Sequence, residues 1–400
     1  MFGRQLPVYS PISFGSVVAG WRALLGPSRD HARTTLERAI ADKFDAREII
    51  LTDSGTTALS LAINGICSRE SDRTIALPAY GCYDLATAAD GVGVDVVLYD
   101  LDPHTLGPDL ESLRAAVARG PATVVAAYLF GVPIDLLELT HITAERGIAV
   151  IEDAAQGHGA TYDGAPLGSF GSPAVLSFGR GKGMTGGAGG ALVATTEIGA
   201  EIVRGASSAL GTANAGLREV IGASAQWGLA RPSLYGVPAA IPFLRLGETI
   251  YREPQPPATI SKGACCVLAS NWEASEAEAA TRGEVARRLY EIVAECTGMD
   301  NIVVPSNGEA GYLRLPVLVS ERVKHHFDST RARRLGIMPG YPKALADLPG
   351  FGDRCVNRGA GFPGARCLAN RLFTLPTHSK LTTADIDRIE RWLHSVARNS

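Results

Sequence analysis

No stretch of eighteen consecutive apolar residues occurs in the sequence, so no membrane-spanning helix is expected. There is no long basic run, and the formal net charge is −3, which disfavours a nucleic-acid partner. The opening residues "MFGRQLPVYSPISFG" lack both a continuous apolar core and a clear cleavage site, so a secretory signal is not expected. None of the seven cysteines (Cys67, Cys82, Cys265, Cys266, Cys296, Cys355, Cys367) forms a Cys-x-x-Cys pair, which argues against a zinc site. An odd cysteine count in a chain this long fits a reducing compartment, with thiols serving as small core residues. No internal repeat or low-complexity segment stands out. These absences leave a cytoplasmic, metal-free globular protein as the expectation.

Four hundred residues exceed what one hydrophobic core usually holds, so a large domain and a smaller one are expected. Apolar, β-branched runs recur at 74–78, 94–100, 122–130, 148–153, 174–178 and 190–196. Between several of them lie amphipathic stretches such as "LESLRAAVARG" and "LLELTHITAERG". This alternation predicts an α/β domain with a mainly parallel sheet, whose ligands gather outside the carboxyl ends of the strands. That rule brings Tyr80, Tyr128, Asp153 and Ser177 toward one rim. From about 200 to 258 the pattern loosens into a Gly/Pro-rich stretch that Trp227, Leu229, Phe243 and Leu244 could pack as an ordered arm. Beyond it, 263–295 reads as one long helix, and "LTTADIDRIERWLHSVAR" as a final helix capped by Thr382 or Thr383. The expected division is 1–258, including the N-terminal segment and the arm, and 259–400.

Three motifs carry chemistry. "SGTTALSLAI" (54–63) follows a strand and opens a helix, where free N–H groups, hydroxyls and the positive end of the dipole suit an anion. "SFGRGKGMTGGAGG" (177–190) sets Lys182 among glycines that permit close approach, and lysine forms Schiff bases with carbonyl compounds. "VIEDAAQGHGA" (150–160) ends an apolar strand on Glu152-Asp153, so a carboxylate there needs a partner. An anion site, a lysine and an acid together suit pyridoxal phosphate, which needs a phosphate cradle, a covalent anchor and an acid beside its ring nitrogen. Thr56, Thr57 and Ser177 supply the first, Lys182 the second and Asp153 the third.

The spacing from "EDAAQ" to the lysine resembles the DegT-type sugar aminotransferases, within the fold-type I pyridoxal-phosphate enzymes. The resemblance extends through "SGTTAL", "LPAYGCYDLATAA", "YLFGVPID", "VIEDAAQGHGATYDGAPLGSFG" and the tail "FPGARCLANRLFTLPTHSKLTTADIDRI". It implies an α/β fold-type I architecture: a large domain with a mainly parallel sheet between helices, plus a smaller C-terminal α+β domain. It also implies pyridoxal 5'-phosphate as cofactor and a homodimer. By position, Asp153 is similar to the pyridinium partner, Gln156 to the neighbour of the ring hydroxyl, and Lys182 to the anchoring lysine. Thr56, Thr57 and Ser177 are similar to the phosphate ligands. Cys82 stands where the family often carries the aromatic over the ring. Tyr80 and Tyr83 flank it, one of them against either the ring or the core. Tyr128, His158 and Arg180 are candidates for the substrate.

Two departures mark this chain. Its lysine stretch reads "GRGKGM" where the family has "PTKN" or similar, which makes Arg180 new. "QPPATIS" puts Pro257 where the family's Asn reaches the partner's phosphate, so that contact is expected to be lost. The resemblance implies transfer of an amino group from an amino acid, glutamate foremost, to the keto group of a sugar or a related natural-product or polysaccharide intermediate. The competing readings are a lyase or dehydratase on the same fold, and a non-catalytic cofactor-binding regulator. Dehydratase relatives commonly carry histidine in place of the lysine, and Lys182 argues against that route.

Overall fold

The apolar runs of the first half become strands β1 (Glu48–Thr52), β2 (Thr74–Pro78), β3 (Asp95–Tyr99), β4 (Thr123–Ala127) and β5 (Ala149–Asp153). After them come the short β6 (Thr161–Tyr162) and β7 (Ala165–Pro166), then β8 (Ala174–Ser177) and β9 (Gly190–Ala194). The structure is a computed structural model, and it describes residues 4–26, 31–70, 73–239 and 250–398. Phe243 and Leu244, expected to pack the arm, lie outside the described residues.

Seven of these strands form one sheet in the order β1-β9-β8-β5-β4-β2-β3. All run parallel except β9, which is antiparallel to both neighbours. Helices cover the sheet, and β4 and β9 are buried along their whole length, which explains unbroken apolar runs in place of alternation. The fold is of the α/β class. Its parallel strands deliver Thr52, Ala127, Asp153 and Ser177 to one rim. There Gly190 pairs with both Thr52 and Ser177, so β1, β9 and β8 are locked in a single row.

The C-terminal part contributes β10 (Met299–Asn301), β11 (Gly308–Glu309), β12 (Leu315–Val319), β13 (Met338–Pro339) and β14 (Leu372–Leu375). Four form an antiparallel sheet in the order β10-β12-β14-β13. The helices Trp272–Ala294 and Thr383–Ala397 pack on it through Leu289, Val293, Ile389 and Leu393. Thr382 caps the last helix in a reciprocal box with Asp385. The two halves of the chain are interleaved. β11 joins β6 and β7 in a ribbon, and Ile260, Ala264 and Leu268 pack with Leu51 and Val193 of the large sheet. Phe351, Phe362 and Leu368 pack with Val96 and Leu98, while Asp100 accepts the Gly364 and Ala365 amides at 2.8 and 2.7 Å.

Two expectations change. The apolar run 122–130 stops being a strand at Ala127. Leu129–Gly131 turns as a short 3-10 helix, with Phe130 at φ 58°. The stretch 263–295 is two helices, Lys262–Ala269 and Trp272–Ala294. The break falls at Asn271, which is buried and satisfied by distant backbone. Its amide nitrogen donates to the Pro11 carbonyl, and its Oδ1 accepts the Ser13 N–H at 3.1 Å and the Ser16 hydroxyl at 2.9 Å. The Gly/Pro-rich stretch is more helical than its composition suggests, forming Leu217–Leu229 and Pro232–Ala239. Trp227 in the first of these meets Phe14 with ring centroids 5.4 Å apart, and Leu217, Ile221 and Leu229 are exposed. Among the described residues no helix is long and apolar enough to cross a membrane.

Gly190 is where this frame is least tolerant. A Cβ added there would lie 2.5 Å from the Ser54 carbonyl and 2.6 Å from the Gly55 nitrogen, forcing the helix start away from β9. Gly190→Ala is therefore expected to cost about 1–3 kcal/mol, as overpacking does, read as a lower urea midpoint with unchanged slope. A midpoint equal to wild type would show that the helix start is not held against the strand.

Candidate active site

The acidic pair at the end of β5 splits between two environments, because successive strand residues face opposite sides of a sheet. Glu152 is fully buried beneath the rim. It accepts the Tyr128 hydroxyl at 2.7 Å, the Gly168 and Phe170 amides at 2.8 and 2.5 Å, and the Gly171 amide. Burial raises its carboxyl, opposed by these donors. Asp153 turns into a cleft whose wall it shares with Lys182. Burial raises the Asp153 carboxyl as well, while the Lys182 charge pulls it down and the Ala155 amide donates to Oδ1 at 3.1 Å. The carboxylate that the motif left unpaired thus faces a lysine.

Lys182 sits on the turn from β8 to β9, closed by a bridge between Gly179 and Gly187. The N-terminal segment straps this turn from outside. The Ser10 hydroxyl donates to the Lys182 carbonyl, and the Ser10 carbonyl accepts Gln226 Nε2 at 3.0 Å. On another wall, Ser54 caps the helix Gly55–Cys67 by accepting the Thr57 N–H, which leaves the first-turn amides of Gly55 and Thr56 without intrahelical partners. Gly55, Thr56 and Ser177 all line the cleft, and Gly55 and Ser177 touch so closely that a Cβ on Gly55 would lie 2.7 Å from Ser177 Cβ. Cys82 and Asp84 line it too, with Sγ 3.3 Å from Asp84 Oδ2. Burial, then the Asp84 charge, push the Cys82 thiol up to about 12, so it is neutral. Gln156 braces the floor: Oε1 accepts the Phe130 N–H at 3.1 Å and Nε2 donates to the Tyr341 hydroxyl at 2.7 Å.

Several residues expected at the cofactor or substrate are engaged elsewhere. The Thr57 hydroxyl donates to Asp53 at 2.5 Å and takes no part in the cleft lining. Tyr80 is fully buried in the core, where its hydroxyl accepts the Tyr341 N–H at 2.8 Å. Tyr128 lines the cleft, but its hydroxyl is committed to Glu152. Arg180 is exposed and lies outside the lining. His158 lies behind the lysine loop, where a Cβ on Gly183 would meet its ring at 2.6 Å. Its ring is held between Glu276 at 3.2 Å and Arg282 at 3.2 Å. Arginine only donates, so Nδ1 accepts and Nε2 carries the proton toward Glu276. Sequence reasoning missed Glu276, Arg282, Ser10 and Tyr341, none of which falls near a motif.

A cup of helix-start amides and hydroxyls, a lysine and a buried acid around one cleft match the donors that pyridoxal phosphate requires. The model of the DegT/DnrJ/EryC1/StrS aminotransferase family matches residues 19–226 and 258–394. The chain belongs to that family. Aminotransferases of the family depend on pyridoxal phosphate. Among curated relatives, the chain is 30% identical over 205 residues to the L-glutamine:2-deoxy-scyllo-inosose aminotransferase of Streptomyces kanamyceticus, a match covering 49% of this chain and 48% of the relative. It is 32% identical over 159 residues to the 3-amino-5-hydroxybenzoate synthase of Amycolatopsis mediterranei, covering 40% and 41%. The chain thus spans about half the length of the curated relatives it matches. Its fold is shared with the sugar aminotransferase CalS13 from Micromonospora echinospora, with a TM-score of 0.73 at 20% identity over 97% and 98% of the two chains.

The enclosure of His158 has a pH consequence. Burial lowers it from 6.5 to about 4, outweighing Glu276. Between those values the unfolded chain binds the extra proton and the folded one does not, so stability is complete above the higher value and falls as pH drops toward the lower. His378, also lowered to about 4, acts in the same direction. Urea unfolding between pH 7 and 4 should lose on the order of 3 kcal/mol through His158. His158→Gln should flatten the pH dependence by that share. Parallel profiles for the two proteins would refute the assignment.

Proposed function

We propose that this chain is a pyridoxal-phosphate-dependent aminotransferase. It moves an amino group from an amino acid such as glutamate to the keto carbon of a sugar, cyclitol or related biosynthetic intermediate. The observation that carries this reading is the meeting of Lys182 and Asp153 in one cleft beside the Gly55–Thr56–Ser177 cup. The cyclitol and aminobenzoate chemistry in the names of the relatives supports the acceptor class.

When bound, the cofactor supplies the carbonyl carbon that carries the amino group and a ring that takes up electrons. Lys182 would hold it covalently, and its amine, once released, would take a proton from the donor's Cα and return it elsewhere. Asp153, the acid facing Lys182, would hold a proton on the ring nitrogen. Thr56 and Ser177, with the free first-turn amides, would hold the phosphate; the Thr57 backbone serves the same turn through Ser54. Cys82 would offer an uncharged, compact surface to the ring, and Gln156 would reach the ring hydroxyl. Leu59, Leu85 and Leu129 make the rest of the wall apolar and exclude water.

Assembly as a homodimer and a cytoplasmic setting belong to the same proposal. The exposed Phe14, Trp21, Ile221 and Trp227 on the helices Phe14–Leu25 and Leu217–Leu229 support a subunit contact. The division at 258 stays part of it as well, with the helix Lys262–Ala269 resting on the first domain.

Lys182→Ala should abolish the visible absorption of protein-linked cofactor and lower turnover by about 10²–10⁴ or more, the range of general acid–base contributions. Asp153→Asn should retain the fold and lose most of the rate. Single-turnover spectroscopy with amino donors checks the reaction class. Discharge of the cofactor with stoichiometric release of a keto acid supports transamination. A spectrum unmoved by every donor, while a sugar is dehydrated, would replace it with the lyase reading.

A further inference from the structure

Arg314, just before β12, is a cation with no ion-pair partner among the described residues. Its Nε is buried and makes no hydrogen bond, and no ion pair or hydrogen bond reaches its guanidinium among the described residues. Its neighbours are aromatic: Cζ lies 5.1 Å from the centroid of Phe130, and the Tyr341 and Tyr80 phenols are close enough to act on its charge. A ring face only partly replaces the water a guanidinium loses on burial.

Two further donors in the same cluster are unused. Because Gln156 Oε1 is occupied by the Phe130 N–H, its amide nitrogen donates to Tyr341, and the Tyr341 proton finds no acceptor among the described residues. The Tyr83 oxygen faces the Lys343 N–H, and its proton also finds none. Ring centroids place Tyr341 5.8 Å from Phe130 and 6.4 Å from Tyr83. The cluster borders the cleft through Gln156 and Cys82, and the Cys82 thiol is near enough to act on both phenols. A guanidinium and two phenolic protons that meet no acceptor among the described residues, grouped beside a reaction cleft, can serve as a receptor for an anion.

We infer that Arg314, with Tyr341 and Tyr83, receives the carboxylate of the amino donor. This rests on the aminotransferase reading. Such a donor carries a carboxylate on the very carbon whose proton Lys182 would take. The planar guanidinium matches a carboxylate with two parallel hydrogen bonds, and a phenol can supply a third. A neutral keto sugar brings no such charge, so the cluster distinguishes the substrate of one half of the reaction from that of the other.

The experiment uses the cofactor-loaded protein with glutarate, a dicarboxylate without a reacting amine, and inorganic phosphate as probes. Binding is read by calorimetry and by the shift in thermal midpoint. Arg314→Met should weaken glutarate about 10–100-fold, the range of charge-assisted hydrogen bonds, and raise the donor KM while leaving the acceptor KM unchanged. Arg314→Lys should fall between. Tyr83→Phe removes a hydroxyl whose proton meets no acceptor among the described residues, so its thermal midpoint should stay close to wild type while glutarate binds more weakly; it keeps the test decisive if Arg314→Met does not fold. Equal glutarate affinity in wild type and Tyr83→Phe or Arg314→Lys would overturn the assignment. So would an Arg314-dependent site that takes phosphate in preference to glutarate, which would point to a phosphate on the acceptor. Arg314-dependent glutarate binding in a protein that no amino acid discharges would instead leave the carboxylate site standing and remove the aminotransferase reading.

Discussion

Glu152 has no exposed surface, yet it accepts four hydrogen bonds from two segments of chain, Tyr128 and the 168–171 turn. A carboxylate taken out of water at this depth is tolerated only when its oxygens are filled, and here backbone amides fill them. The cost of leaving any of those bonds unmade holds the 168–171 turn against the end of β5. It also fixes the Tyr128 ring, and the held turn leads on to β8. Because strand residues alternate, the same anchoring directs Asp153 into the cleft toward Lys182. The position of Asp153 is therefore a consequence of its structural neighbour.

A second tier of contacts ties the lysine turn to distant parts of the chain. Ser10 holds the Lys182 carbonyl, Asn271 holds Pro11 and Ser13, and the Leu6 carbonyl lies 2.8 Å from His378 Nε2. The N-terminal strap thus spans the lysine turn, the start of the long helix and the C-terminal part. On the inner side, His158 packs against Gly183 and is itself held by Glu276 and Arg282. These contacts support the Lys182 turn on both sides, where glycines alone would leave it mobile.

The large sheet was legible because its strands are buried on both faces, so each appears as an unbroken apolar run bounded by turn residues. Thr56, Cys82, Tyr128, Asp153, Gln156, Ser177 and Lys182 could be read as one group because each lies at a strand end, a helix start or a loop leaving a strand on the same rim. What could not be read was direction. Thr56 and Thr57 are adjacent and chemically alike, but the Ser54 cap and Asp53 claim the second hydroxyl for the helix. Tyr80 turns into the core because the chain at Gly340–Tyr341 passes directly over its hydroxyl. The break at Asn271 was invisible for a related reason: the groups that satisfy it lie some 255–260 residues away in sequence. Arg314 and Tyr341 come from the second half of the chain and carry no local motif.

The charges around the cleft show why these distant residues matter. Near neutral pH the Cys82 thiol is held protonated by burial, the Tyr341 phenol is raised well above its ordinary value, and His158 is held neutral at about 4. None of these groups adds a charge beside Lys182 and Asp153 near neutral pH, and burial strengthens the neutral form of each. The field at the cleft is then set by Asp153, Lys182, Asp84 and, farther out, Arg314. In a poorly solvated site such charges act strongly on one another. Under the proposed reading, a ligand anion entering beside Arg314 would meet a positive charge with no ion-pair partner among the described residues, while a cationic ring nitrogen would meet Asp153. The burial of neutral groups would thus keep those two binding preferences apart.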